Sequence, residues 1–135
     1  MSTLSTANIT SKAANTPPVI KDVNGTECGT FCRAWVNFNG TGTIAIRDSF
    51  NVSSITDNGT GAYTVNFSTS MANSNYATVI SAAYGASYNF AMPNTIGSGG
   101  YLADSTVNSH RFSVVVYNAT AWSDSPHIHF AVFGG

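Results

Sequence analysis

Between Cys32 and Asn39 the chain alternates residue by residue. Cys32, Ala34, Val36 and Phe38 fall on one side, and Arg33, Trp35 and Asn37 on the other. A repeat of two is the mark of a β-strand, whose successive side chains point to opposite faces. Asn39-Gly40 then reads as a tight turn, and Thr41 to Arg47 resumes a strand with Ile44 and Ile46 on one face. Val52 to Thr56 follows, closed by the loop string Asp57-Asn58-Gly59-Thr60-Gly61. Tyr63, Val65 and Phe67 alternate with Thr64 and Asn66. Tyr76 to Ala82 and Tyr88 to Met92 read as further strands, followed by a glycine-rich loop at Gly97-Ser98-Gly99-Gly100. Phe112 to Tyr117 carries three consecutive valines, the composition of a central strand, and Ile128 to Phe133 closes the chain. About seven or eight short strands with turns every ~8–12 residues predict an all-β fold, an antiparallel β-sandwich.

Composition agrees. Ser, Thr and Asn supply 47 of the 135 residues, while there are two Leu, one Glu, two Lys and no Gln, so helices lack their preferred residues. Residues 1–27 are polar, contain Pro17-Pro18 and have almost no large apolar side chain. They read as an extended arm; the alternative is a disordered end, against which stands their lack of charge. The expected division is an attachment arm over 1–31 and a sandwich domain over 32–135. Charged residues are only 8% of the chain and the net charge is −1, which gives no electrostatic reason to bind nucleic acid or an anionic membrane. No apolar run approaches the ~20 residues of a membrane helix, and the N-terminus does not read as a secretory signal. A surface so poor in charge suits a permanent assembly better than a lone monomer.

The segment Cys32 to Ser81 resembles a module of tail fibres and other tail proteins of tailed bacteriophages, including those of cyanobacteria and other marine bacteria. The strings that carry the likeness are Arg33-Ala34-Trp35-Val36-Asn37-Phe38, Ser53-Ser54-Ile55-Thr56-Asp57-Asn58-Gly59-Thr60-Gly61 and Tyr63-Thr64-Val65-Asn66-Phe67, in that order. Ile128 to Phe133 looks like the closing strand of the same module. The resemblance implies a virion structural protein, made in the host cytoplasm, with a host-contact role and no enzymatic one. It implies a homotrimer that joins other tail or baseplate proteins through residues 1–31. The alternative is a capsid decoration protein or another purely structural virion component that binds no receptor.

Candidate sites are few. His127-Ile128-His129 places two imidazoles on one side of a strand. One chain offers two ligands, whereas a homotrimer with this strand on its axis would offer six, and imidazole suits iron, nickel or zinc. The plainer alternative is two strand histidines facing solvent or a neighbouring subunit, with no cofactor. Tyr84, Tyr88, Phe90, Tyr101 and Trp122 lie in or beside long connections. Such rings could contact a host glycan or protein, or could pack the core or a subunit interface. Cys28 and Cys32 lack the further ligands of a zinc site, and a reducing cytoplasm favours two thiols over a disulfide. Asp48, Asp57, Asp104 and Asp124 are the only carboxylates in the folded part. Asp57 sits where a turn uses Asp locally, so paired-acid catalysis is not expected.

Overall fold

The computed structural model describes residues 6, 8–10, 18–83, 89–92, 104–116 and 122–135. All regular structure there is β. The strands are β1 (Ile20–Lys21), β2 (Glu27–Gly29), β3 (Cys32–Asn39), β4 (Ala45–Phe50), β5 (Val52–Gly59), β6 (Ala62–Phe67), β7 (Ala77–Ala83), β8 (Asn89–Met92), β9 (Asp104–Ser105), β10 (Ser109–Val116) and β11 (His127–Phe133). Nine of them build two antiparallel sheets. One has the order β4-β3-β11-β7; the other has the order β5-β6-β10-β8, with β9 also pairing to β10. β9 and β8 follow one another along β10, opposite His110–Arg111 and Ser113–Val116 respectively. The valine-rich β10 is thus internal to its sheet, as its composition predicts.

The two sheets meet as a sandwich because each strand turns its apolar positions the same way. Ala34, Val36 and Phe38 from β3, and Ile128, Phe130 and Val132 from β11, are buried against Tyr63, Val65 and Phe67 from β6 and Phe112 and Val114 from β10. The rings form a continuous column along the sandwich. Tyr63 meets Phe38 edge-on at 5.3 Å, Phe38 meets Phe112 at 6.5 Å, and Phe112 stacks on Phe130 at 5.7 Å. The column continues from Phe130 to His110 at 5.4 Å, to Tyr76 at 5.8 Å and to Phe67 at 5.9 Å. Each such aromatic pair adds about 0.5–1.5 kcal/mol beyond the burial of its area.

Boundaries differ from the sequence reading at several strands: β10, expected from Phe112, starts at Ser109, and β9 was not expected; three further differences change how the chain pairs. The string Asp57-Asn58-Gly59, expected as loop, belongs to β5, because β6 pairs with it as far as Ala62↔Gly59. β4 starts at Ala45 and not Thr41, and its pairing with β3 shifts register between Asn37 and Phe38, which inserts Arg47 as an extra residue. Within the expected arm, Ile20–Lys21 and Glu27–Gly29 pair as a hairpin that joins neither main sheet. Its turn is held by Asp22, whose Oδ1 accepts from Asn24 N (2.9 Å) and Thr26 N (2.8 Å).

Asn51 makes the corner where the chain leaves one sheet, at β4, and enters the other, at β5. It has φ 54°, a left-handed conformation that Asn tolerates better than most residues. Its side chain clamps the corner: Nδ2 donates to Arg33 O (3.0 Å) and Thr69 O (3.1 Å), and Oδ1 accepts from Thr69 N (2.7 Å). Asn51→Ala loses both the conformation and the clamp and is expected to cost about 2–3 kcal/mol, whereas Asn51→Gly keeps the conformation and should cost ~1 kcal/mol less. Urea denaturation of the two variants measures the difference; equal losses would show that the backbone conformation contributes nothing.

Candidate functional site

Connections gather at one end of the sandwich. β7 ends at Ala83, opposite His127 at the start of β11, and Asn89 lies opposite Val116. The β3–β4 and β5–β6 turns reach the same end. Here Asp124 ties the two sheets together. Its Oδ1 accepts from Gly61 N at 2.7 Å and lies 3.0 Å from Tyr63 Oη, which also lies 2.9 Å from Gly40 O. Gly40 N in turn donates to Ser125 O at 2.8 Å, and the buried Ser125 Oγ donates to Ala83 O at 2.6 Å. Two glycines make this possible. A Cβ at Gly40 would stand 2.5 Å from Tyr63 Oη and 2.8 Å from Ile128 Cδ1, and one at Gly61, where φ is +67°, would stand 2.7 Å from both Ser123 N and Val114 O. The knot fixes the last turn of the β10–β11 connection as a rigid base for the end.

Of the five aromatic residues singled out for receptor contact, Trp122 is half-buried at this end, next to Ser123, whose N donates to Val114 O at 3.3 Å. Phe90 lies on β8 opposite Val115, with its side chain outside the described residues. Tyr84, Tyr88 and Tyr101 lie outside the described residues. The carboxylates described with their partners serve the fold: Asp57 Oδ1 accepts from Gly59 N at 2.9 Å, Asp48 Oδ1 accepts from Ser49 N at 2.8 Å, and Asp124 is held in the knot.

His127 and His129 occupy the outer face of the four-stranded sheet, both exposed, on either side of the buried Ile128. His129 sits in a cross-strand row with Asp48, Asn37 and Ser81. Arg47 crosses this row, donating through Nη1 to Asn37 Oδ1 (3.2 Å) and through Nη2 to Pro126 O (2.6 Å). Among the described residues no group of three or more His, Cys, Asp or Glu is placed to hold a metal within one chain. Cys28 and Cys32 are both thiols; Cys32 Sγ donates to Ala34 O at 3.3 Å.

The next row on this face runs Phe50, Trp35, Ala131, Val79, one residue from each strand. Phe50 is 54% and Val79 62% exposed. The outer face of the other sheet is different: Asn66 Nδ2 donates to Thr56 Oγ1 (2.9 Å) and Ser54 Oγ (3.1 Å), and Asn58 Nδ2 donates to Thr64 Oγ1 (2.8 Å). The sequence reading missed both the knot and the apolar row. The one available signal was Trp35, a large ring on the polar side of the β3 alternation.

No family model matches the chain, and searches of curated proteins and of solved structures found no match.

Burial and the neighbouring Asp124 carboxylate both push the Tyr63 phenol well above its ordinary range near ~10. A group with a raised folded pKa gives stability that is whole below its unfolded pKa and is lost as pH rises beyond it. The fold should therefore weaken above about pH 10, and Tyr63→Phe should flatten that decline while costing about 1–3 kcal/mol at neutral pH. Urea midpoints from pH 7 to about 11 test this; a Tyr63→Phe variant with an unaltered alkaline slope would refute it.

Proposed function

We propose that this chain is a virion structural protein of a tailed bacteriophage, a tail-fibre or tail-tip component. It attaches to the tail or baseplate through residues 1–31 and contacts the host surface with the loop end of its sandwich. The observation that carries the reading is the ordered set of three strings, Arg33 to Phe38, Ser53 to Gly61 and Tyr63 to Phe67. These fall on β3, on β5 with its turn, and on β6. The likeness thus lies in the scaffold strands of both sheets, and the receptor is a matter for the loops.

The arrangement suits such a role. A sandwich braced from end to end presents its connections on a fixed base, and weak contacts repeated over several copies give avidity without a deep pocket. A homotrimer supplies those copies and sets the His127 and His129 pairs around its axis, where together they would hold a transition metal. The thiols of Cys28 and Cys32 fit synthesis in a reducing cytoplasm.

Light scattering of the purified protein, with metal analysis of the same sample, is the first test. Three subunits is the expected result; about one metal per trimer would place His127 and His129 on the axis, its absence removes the metal site alone, and a stable monomer counts against a self-standing fibre. Labelled antibody on virions then gives the location. Label on the tail supports the reading, and label on the head replaces it with capsid decoration.

A further inference from the structure

We infer that Asn24 is a site of spontaneous covalent modification: of the three Asn-Gly pairs in the chain, it is the one that the fold leaves open to deamidation. The inference concerns the chain itself and does not rest on the virion reading. The chemistry is intramolecular. The Gly25 backbone nitrogen attacks Asn24 Cγ; the N–Cγ bond forms, the Cγ–Nδ2 bond breaks, and ammonia leaves with the proton from Gly25 N. Solvent water then opens the five-membered imide at either carbonyl, giving aspartate or isoaspartate. No oxidant, reductant or cofactor enters. Glycine in the second place favours the attack because it has no side chain to block the approach of its nitrogen.

The three pairs are Asn24-Gly25, Asn39-Gly40 and Asn58-Gly59. In each, the glycine N–H is bonded in the folded chain: to Asp22 O at 3.0 Å, to Ser125 O at 2.8 Å and to Asp57 Oδ1 at 2.9 Å, respectively. Local opening must precede attack, and the cost of opening separates the three. Asn39 Nδ2 donates to Thr41 O at 3.1 Å, its Oδ1 accepts from Thr41 Oγ1 at 2.7 Å, and Gly40 is packed so tightly that a Cβ there would stand 2.5 Å from Tyr63 Oη. Freeing this pair means undoing the loop-end knot. Asn58 Nδ2 donates to Thr64 Oγ1 at 2.8 Å, and Gly59 pairs with Ala62. Freeing that pair means breaking the β5–β6 ladder.

Asn24 lies in the turn of the β1–β2 hairpin, which joins neither main sheet. Every residue from Val19 to Cys28 is exposed, Val23 at 99%. Among the described residues none bonds the Asn24 side chain, and no atom lies within 4 Å of where a Cβ on Gly25 would stand. A two-stranded hairpin without further packing is marginal in water, so this turn opens while the sandwich stays closed. What holds it is Asp22 Oδ1, which accepts from both Asn24 N and Thr26 N. Isoaspartate inserts a methylene into the main chain between those two amides, and either product adds a carboxylate between Asp22 and Glu27. Conversion therefore loosens the hairpin irreversibly and leaves the sandwich intact.

Peptide mapping by mass spectrometry tests this on the purified chain aged in mildly alkaline buffer. Trypsin cuts after Lys21, Arg33 and Arg47, which puts Asn24 and Asn39 in separate peptides; a chymotryptic digest reads Asn58. In the folded chain Asn24 should convert at least about tenfold faster than Asn39 or Asn58, a ratio that ~1.4 kcal/mol of opening free energy supplies. In concentrated urea the three rates should become comparable. Asp22→Ala, which removes the acceptor that holds the turn, should speed conversion at Asn24 and leave Asn39 and Asn58 as they were, with the circular dichroism of the sandwich retained. Equal rates at the three pairs in the folded chain, an Asn24 that converts in urea and not in the folded chain, or an Asp22→Ala variant with an unchanged Asn24 rate would each overturn the inference.

Discussion

A column of rings between the two sheets organises this molecule: Tyr63, Phe38, Phe112, Phe130, His110, Tyr76 and Phe67, in contact in that order. A phenol hydroxyl near each end reaches turn carbonyls. Tyr63 Oη bonds to Gly40 O at the loop end, and Tyr76 Oη lies 3.0 Å from Thr106 O and 2.9 Å from Ser109 O near the other. The column therefore does two jobs with one set of side chains. Its faces and edges hold β3 and β11 against β6 and β10, and its polar tips fix the turns. A buried hydroxyl that lost its acceptor would cost more than the bond itself is worth, so ring packing and turn position constrain each other.

From that constraint follows the shape of the loop end. Asp124 can accept from Gly61 N and Tyr63 only because two glycines leave room for a side chain and a backbone to meet. The connections at this end start from atoms placed to within a hydrogen bond. Backbone held in advance by such bonds loses less entropy in any contact it makes. The outer faces differ where they are described: β5 and β6 carry mutually bonded amides and hydroxyls, whereas the β4-β3-β11-β7 face carries the row from Phe50 to Val79.

Much of the fold was legible in the chain. The alternation in β3, β6 and β11 names their buried residues directly: Ala34, Val36 and Phe38, Tyr63, Val65 and Phe67, and Ile128, Phe130 and Val132. β7 was less legible. Ala77, Val79 and Ala83 are as apolar as Ile80 and Ala82, so period alone cannot say which set faces inward; pairing with β11 decides it. Asp57-Asn58-Gly59 carries turn chemistry yet lies in a strand, because β6 supplies pairing partners that outweigh local preference. His110 is buried among Tyr76 and Phe130, with Nδ1 2.9 Å from Ser105 Oγ, and nothing in the residues around it in sequence announces a core position.

The class of the fold, the positions of most strands, the two-faced character of those strands and the scarcity of charge can all be read along the chain. These depend on local period and composition, which a single chain displays directly. Tertiary structure decided what depends on partners distant along the chain: the order β4-β3-β11-β7, the corner at Asn51, the meeting of Gly40, Gly61, Tyr63 and Asp124, and the row from Phe50 to Val79. Each joins residues well separated along the chain. Their chemistry is ordinary when read singly, and it acquires meaning only when the register of the sheets sets them side by side.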